Sequence, residues 1–527
     1  MKYIKKHKFI IIIIVITLIR FLMSYKLPSI CFSNLAYDDM LMIKQANSLL
    51  DGNYLGNYAS LTLVKGIFYP FFLMIIRFLN LDYSVVLTIL YIISCMFLAN
   101  SLKYLIKNKK LLLFVYIVLL FNPISYSSEI FQRLYRSSIS PIELLFFFGF
   151  VIRIISKDNK NLFNYIFLGL ITSLMFLTRE DNIWTIIVLI ILFIYKMYRN
   201  IKINCLLMGL IPAFIIILSL NIVSYINYLH YGIYSYNEIE KSEFKNTYIK
   251  MLKIKDDENN KVYLSRNIAY QLSDISDKFH LTKEEIDREY EIIDGKEKAD
   301  YGIIYWYIRN MFHIKEQFKN GKESENYFKE LGEEIDKLFE NGKLEKRIVI
   351  PSILLNTPTC SELKEIKKDL IRGVVYSSTY SGVKTFSEGA IKNANTSKYD
   401  DKNKAYSITY TDYHHTDDVI NNNYGIYEII RIIYKYFTII FSIISLIIFI
   451  KNIKILDKLN LVIWVILLTY LIILGGVVYS HATAFYAIRY FYLVNVYFLQ
   501  SIFIVLNIGR WYEKKSKFVI IYGNSKM

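Results

Sequence analysis

Long apolar runs alternate with short polar segments along most of this chain. Runs long enough to cross a bilayer as helices lie at residues 9–25, 83–102, 111–127, 141–156, 162–178, 183–198, 203–225, 429–450, 459–479 and 485–507. The pattern therefore predicts an all-α polytopic membrane protein with about ten transmembrane helices plus juxtamembrane helices. Composition agrees, because a chain with 54% hydrophobic and 16% aromatic residues is too apolar for a soluble protein of 527 residues.

A further apolar run, residues 67–79, is shorter than these, contains Pro70 and includes Arg77. Its placement decides the sidedness of every later loop, because each additional crossing reverses it. If the run does not cross, the loops that face the cytoplasm are all rich in Lys or Arg, as the positive-inside rule requires. We therefore predict a juxtamembrane or re-entrant helix here, with both termini in the cytoplasm and the first apolar run retained as a signal anchor.

A long polar insert, residues 228–425, separates two groups of apolar runs. In this topology the insert is extracytoplasmic, and it is large enough to bury a core of its own. The chain is thus predicted to have an N-terminal transmembrane module at residues 1–227, with a first outer loop at 26–82. The insert follows, and then the C-terminal transmembrane helices with a basic cytoplasmic tail at 426–527.

The insert is predicted to be mainly α-helical. Thr282 and Glu285 form a capping box that begins one helix. A second helix is expected from about Ser324 to the stop signal Asn341-Gly342, with four apolar residues on one face: Phe328, Leu331, Ile335 and Leu338. After Pro358 the sequence VVYSSTYSGVKTF favours loops or short strands over helix.

The formal net charge of +17 would suggest nucleic acid as a partner of a soluble protein. Here the basic residues cluster between apolar runs, so we predict membrane lipids as partners and no nucleic acid. The segment DYHHTDD, residues 412–418, has enough His and Asp for a divalent metal, but no distant ligand joins it. We therefore assign no metal ligands and no firm cofactor, and a divalent metal stays an alternative without further support in the sequence.

The first outer loop carries two adjacent carboxylates, Asp38 and Asp39, at the start of a predicted amphipathic helix. A carboxylate at the outer membrane boundary can act as a general base toward an acceptor hydroxyl. The alternative is an acidic pair that caps the helix and interacts favourably with its dipole.

Several cations could bind a phosphate group at the same boundary. Lys65 precedes the apolar run at 67–79. Arg489 lies within an aromatic segment, where an arginine is costly unless paired or functional, and its neighbour Tyr490 is a further candidate for binding the phosphate. For Lys65 the alternative is snorkelling to the interface, and for Arg489 it is interfacial anchoring.

Two short outer segments mix acids and bases. The turn at 178–182 brings Arg179, Glu180 and Asp181 into a tight space, and the loop at 127–140 carries Glu129 and Arg136. Arg179 is a further candidate for binding phosphate, and Glu129, Arg136 and Glu180 are candidates for supporting roles. A solvated corner is the simpler interpretation of the turn.

In this order, the motifs YDD (37–39), KGIFYP (65–70), Thr-Arg-Glu-Asp (178–181) and a late Arg-Tyr (489–490) resemble the C-type integral-membrane glycosyltransferases. That superfamily includes the protein O-mannosyltransferases and the lipid A aminoarabinose transferase. The resemblance covers residues 1–230 and 425–510. The insert is similar to that of an uncharacterised bacterial branch.

The resemblance implies a glycosyltransferase of the bacterial plasma membrane that moves a hexose or pentose from a polyprenyl-phosphate donor to an extracytoplasmic acceptor. Asp38 matches the acidic residue at the superfamily's reaction centre. With Asp38 as base and Asp39 in support, we expect a single displacement in which Lys65 and Arg489 offset charge on the departing phosphate. The alternative is a non-enzymatic transporter or receptor for a lipid-linked glycan.

Overall fold

The computed structural model describes residues 2–24, 27, 29, 39–156, 161–199, 203–239, 241–256, 263–294, 301–347, 360–383, 416–455, 457–484 and 488–523. The described residues form helices, turns and loops without a β-strand. In chain order the helices before the insert are α1 (Lys2–Ser24), α2 (Asp39–Leu50), α3 (Phe68–Phe78), α4 (Tyr83–Leu102), α5 (Lys109–Leu120), α6 (Ser140–Ser156), α7 (Leu162–Thr178), α8 (Trp184–Arg199) and α9 (Ile203–Tyr231). The rest are α10 (Glu243–Met251), α11 (Arg266–Ile275), α12 (Lys283–Asp294), α13 (Ile304–Glu316), α14 (Gly321–Glu340), α15 (Cys360–Thr379), α16 (Thr416–Lys451), α17 (Lys458–Ala484) and α18 (Val494–Gly523).

Seven described helical segments are long and apolar enough to cross a membrane, and three shorter apolar helices accompany them. The structure thus fits an all-α membrane protein. The two central segments are Arg136–Ser156 and Tyr490–Glu513, because 89% and 78% of their windows are buried by protein. The segment Leu207–Tyr231 is peripheral, with only 11% buried, which leaves its apolar side chains for lipid.

The run at 67–79 forms the 11-residue helix α3, with Pro70 in its first turn. At 1.5 Å per residue it is about 16 Å long, roughly half the thickness of the hydrocarbon core. It packs closely against α2, the helix that begins at Asp39. Its length agrees with the predicted juxtamembrane or re-entrant helix.

Helices α10–α14 of the insert enclose a separate core of apolar and aromatic side chains. The predicted capping box is confirmed, since the Thr282 amide donates to Glu285 and the Glu285 amide donates to the Thr282 hydroxyl. The second predicted helix is confirmed as α14. Its four predicted core residues are all buried: Phe328, Leu331, Ile335 and Leu338. The chain then turns at Gly342, which has a left-handed φ of 71°.

Helix α15 corrects one prediction from the sequence. The stretch Val374–Thr379, for which the sequence favours loops or short strands, is the last part of a 20-residue α-helix. The helix packs against α16 and α17 of the membrane part, not within the core formed by α10–α14. Tertiary packing outweighs the β-propensity of the valines and tyrosine here.

A candidate functional site at the ends of the apolar helices

The predicted span at 111–127 is not one continuous α-helix. Helix α5 ends at Leu120, and two 3₁₀ turns, Pro123–Tyr126 and Arg136–Ser138, follow before α6. From residue 122 to 139 the side chains are buried, except for the half-buried Glu129. A 12-residue helix covers only about 18 Å of a hydrocarbon core of about 30 Å. Non-helical backbone at such a depth is stable only where protein surrounds it or where it lines a cavity.

This buried segment supplies the partner of Asp39. The Arg133 guanidinium donates from Nε to both carboxylate oxygens of Asp39, at 2.9 and 2.8 Å, and from Nη2 at 2.5 Å. The carboxylate is fully buried and the arginine side chain is 7% exposed. Two charges so far from water are stable only as a pair with good geometry. Asp38, the preceding residue, lies outside the described part of the chain.

A second ion pair joins the same segment to the turn after α7. Arg136 Nη1 donates to Glu180 Oε2 at 2.8 Å and to the carbonyl oxygen of Thr178 at 3.1 Å. Lys65 lies close enough to Glu180 to attract it electrostatically. The structure therefore brings together Lys65, Arg136 and Glu180, which come from three separate parts of the sequence. The guanidinium groups of Arg133 and Arg136 lie 4.7 and 5.5 Å from the ring of Tyr135, so the two ion pairs are neighbours. Together with Lys65 they form what we call the candidate site.

A close backbone approach fixes the position of Lys65. A Cβ atom placed on the next residue, Gly66, would lie 1.9 Å from the carbonyl oxygen of Leu177, at the end of α7. Only glycine allows the two backbones this close. Beneath the contact, the Thr178 hydroxyl donates to Glu143 Oε1 at 2.5 Å. The loop that carries Lys65 is therefore packed against the end of α7, which is in turn hydrogen-bonded to α6.

Buried hydroxyl groups lie close to Asp39 and to the backbone of Arg133. Tyr83 Oη donates to Ser138 Oγ at 2.8 Å and lies 2.9 Å from Tyr69 Oη. The Tyr83 hydroxyl also lies 3.3 Å from the carbonyl oxygen of Arg133. These hydroxyl groups connect α3, α4 and the buried segment, and so restrain the backbone that carries Arg133.

The insert holds the outer loop from the other side. Arg309 on α13 donates from Nε to the carbonyl oxygen of Ser60 at 2.7 Å and from Nη2 to Glu238 Oε2 at 2.8 Å. Arg309 and Glu238 are each only 1% exposed. Tyr58 donates to the other oxygen of Glu238 at 2.8 Å. Burial, with Arg309 nearby, lowers the pKa of His313 to about 3, so its ring is neutral at this junction.

The remaining predicted residues lie around these pairs or apart from them. Arg179 forms an ion pair with Asp181 at 2.6 Å, in the same turn as Glu180. Arg489 is exposed, with its guanidinium 6.0 Å from the ring of Phe491, and Tyr490 packs against Gly382. This second location lies where α15, α17 and α18 meet.

Three buried polar residues were not assigned these roles from the sequence: Arg20, Arg133 and Glu143. Of these, Arg133 is the partner of Asp39. Arg20 Nε donates to the carbonyl oxygen of Leu120 at 3.0 Å, and its guanidinium lies over the ring of Tyr126 at 4.2 Å. It thus caps the C-terminus of α5 just before the buried segment. A charged residue within an apolar run was the available signal for Arg20 and Glu143.

The arrangement offers paired cations and carboxylates at the ends of apolar helices, next to a loop held by the insert. Such a site suits a ligand with a phosphate group and a lipid tail. Among the described residues no group of three or more His, Cys, Asp or Glu side chains could hold a metal ion. Most of the segment at 412–418 lies outside the described residues.

Comparison with protein-family models, curated proteins and solved structures finds no match to this chain.

Proposed function

We propose that this protein is a membrane glycosyltransferase that moves a sugar from a polyprenyl-phosphate donor to an acceptor on the side of the membrane where the insert lies. The observation that carries the proposal is the convergence of Asp39–Arg133 and Arg136–Glu180, with Lys65 beside them. Buried charges at the ends of apolar helices are costly to maintain, which favours a functional role.

Asp38 is the proposed base, because the carboxylate of Asp39 is already engaged by Arg133. Asp39 then acts as a positioning residue. Its ion pair anchors the N-terminus of α2 to the buried segment and so fixes where the preceding residue can reach. This divides the two carboxylates by role: Asp38 accepts a proton and Asp39 holds the backbone.

The proposed reaction is a single displacement at the anomeric carbon. The acceptor oxygen forms the new bond to that carbon while its proton passes to the Asp38 carboxylate. The bond from the anomeric carbon to the phosphate oxygen breaks, and the electron pair leaves with the phosphate. Lys65 offsets the charge that develops there, while Arg136 and Glu180 keep Lys65 in place. Inversion at the anomeric carbon follows from a single displacement.

The test uses the full chain in proteoliposomes, a panel of synthetic polyprenyl-phosphate hexoses and pentoses as donors, and a cell-envelope extract as acceptor. Release of free polyprenyl phosphate reports transfer whatever the acceptor is. We expect Asp38→Asn to slow release by about 100-fold or more, as loss of a general base does. Asp51→Asn, an exposed aspartate of the same outer loop, is the matched control. An undiminished rate in Asp38→Asn would overturn the assignment.

A further inference from the structure

Helix α15 runs antiparallel to the C-terminal half of α17. Gly373 meets the side chain of Leu474, and Ser377 Oγ lies 3.3 Å from Tyr470 Oη. Asp369, two turns before Ser377, interacts electrostatically with His481. Successive turns of α15 therefore contact positions progressively further from the C-terminal end of α17.

These contacts place the end of α15 deep in the layer of apolar helices. Tyr470 is 12 residues from the first residue of α17, Lys458, and 14 from the last, Ala484. Ser377 thus lies level with the middle of a helix that is long and apolar enough to span a bilayer. From the level of Ala484 to that of Tyr470 is roughly 21 Å at 1.5 Å per residue.

The tip of α15 has the polar partners that backbone at such a depth requires. Tyr380 is fully buried, with a left-handed φ of 53°, and its carbonyl oxygen accepts from Arg431 at 3.3 Å. Its hydroxyl accepts from Asn122 Nδ2 at 3.2 Å. Ser378 accepts from Gln500 Nε2 at 2.9 Å. Tyr380 and Ser378 at the end of α15 therefore have polar partners from neighbouring elements of the membrane part.

In its second half α15 exposes an apolar face beside Arg372, which forms an ion pair with Asp369 at 3.0 Å. Leu370, Ile371, Val374 and Val375 are 42–58% exposed. This face is continuous with the exposed apolar surface of the helices it packs on, which includes Ile443 of α16 at 60% and Leu471 of α17 at 54%. The first half of α15 instead carries exposed lysines, at 364, 367 and 368.

We propose that α15 is a re-entrant helix. Its second half, residues 370–379, enters the bilayer from the side of the insert, and its apolar face is covered by phospholipid acyl chains. The exposed lysines of its first half extend toward the headgroups. Continuity with the apolar surfaces of α16 and α17 identifies the occupant as lipid. The proposal does not depend on the proposed glycosyltransferase activity.

The test measures the membrane depth of single spin labels on the full chain in phospholipid nanodiscs. Labels are placed at Ile371→Cys and Val374→Cys, with Cys31, Cys205 and Cys360 replaced by alanine and the buried Cys95 retained. Collision with oxygen, which concentrates in lipid, is compared with collision with a water-soluble nickel chelate. Ile443→Cys on α16 is the lipid control and Lys319→Cys, in an exposed turn of the insert, is the water control.

We expect both α15 labels to match Ile443→Cys, with oxygen favoured over nickel. Because both positions are exposed, neither label should disturb folding, and either one alone decides the outcome. A ratio like that of Lys319→Cys would mean that water covers the face and would overturn the proposal. Exclusion of both reagents would mean that protein covers it, such as a second copy of the chain, and would overturn the proposal too.

Discussion

Arg133 clamps the carboxylate of Asp39 through two of its nitrogens, and neither side chain has more than a small exposed fraction. The clamp joins the start of α2 to the non-helical segment that follows α5. The first outer loop is therefore attached to the interior of the membrane part as well as to the insert.

Loss of one partner of this clamp should destabilise the protein. Asp39→Asn removes the carboxylate from this buried ion pair, and breaking a buried pair costs about 3–5 kcal/mol. We expect a lower midpoint of thermal unfolding in detergent. The double variant Asp39→Leu, Arg133→Met should recover much of the loss, because no lone charge remains buried. Asp274→Asn, half of an exposed ion pair with Lys283, should change little. Equal unfolding midpoints for Asp39→Asn and wild type would show that the Asp39–Arg133 ion pair does not stabilise the protein.

Gly66 should not tolerate a side chain. In Gly66→Ala the new methyl group meets the carbonyl oxygen of Leu177, so the loop that carries Lys65 must shift. Such overpacking costs about 1–3 kcal/mol. We expect a lower unfolding midpoint and slower release of polyprenyl phosphate. Gly475→Ala on α17, with open space around its Cβ position, is the control. Wild-type behaviour of Gly66→Ala would show that this contact does not constrain the loop.

The ion pair between Arg309 and Glu238 should protect the first outer loop from hydrogen exchange. Arg309→Met removes the hydrogen bonds to Ser60 and Glu238, so amides at 58–64 should exchange faster, as mass spectrometry of the full chain would show. Arg288→Met, an arginine of the insert with a side chain that is 67% exposed, should leave this exchange unchanged. Unaltered exchange at 58–64 in Arg309→Met would argue against the attachment.

The stability of the insert should fall as pH rises from about 4.5 to about 7, through Glu325. Burial is the main reason that the pKa of this carboxyl is raised to about 7, and repulsion by Glu238 and Glu243 adds to it. The folded state therefore holds the proton more tightly than the unfolded state. This contribution is complete below the unfolded pKa and is lost as pH rises through the folded one.

The measurement is the unfolding midpoint of the insert at pH 5 and pH 8 in wild type and Glu325→Gln. From pH 5 to pH 8 the free energy of unfolding of the wild type should fall by up to about 3 kcal/mol relative to that of the variant, since one pKa unit corresponds to 1.36 kcal/mol. Glu333 is an exposed glutamate on the same helix, so Glu333→Gln should show the same dependence of stability on pH as the wild type. The prediction fails if Glu325→Gln also shows the wild-type dependence on pH.

The sequence predicted those elements whose signals are local. Hydropathy revealed the apolar helices, and the pairing of Thr282 with Glu285 marked the start of α12. The regular spacing of buried residues from Phe328 to Leu338 marked α14. The count of about ten crossings stays a prediction, since the structure gives seven segments that meet the length and apolarity expected of a span.

Other features depend on contacts between distant residues and could not be read from local patterns. Helix α15 combines lysines with β-branched residues, so neither helical periodicity nor hydropathy identifies its place beside α17. The pairing of Asp39 with Arg133 joins residues 94 positions apart. The break after Leu120, by contrast, had a local signal that hydropathy overlooked, because Asn122 and Pro123 begin the 3₁₀ turn that follows α5.

The attachment of Arg309 to Ser60 bears on the order in which the protein matures. These two residues are 249 positions apart, so the first outer loop leaves the ribosome long before the arginine that secures it. At about 5–20 residues per second, the delay is roughly 12–50 s. During that interval the loop already exists but lacks this support. The attachment of this loop to the insert therefore forms only after α13 has been synthesised.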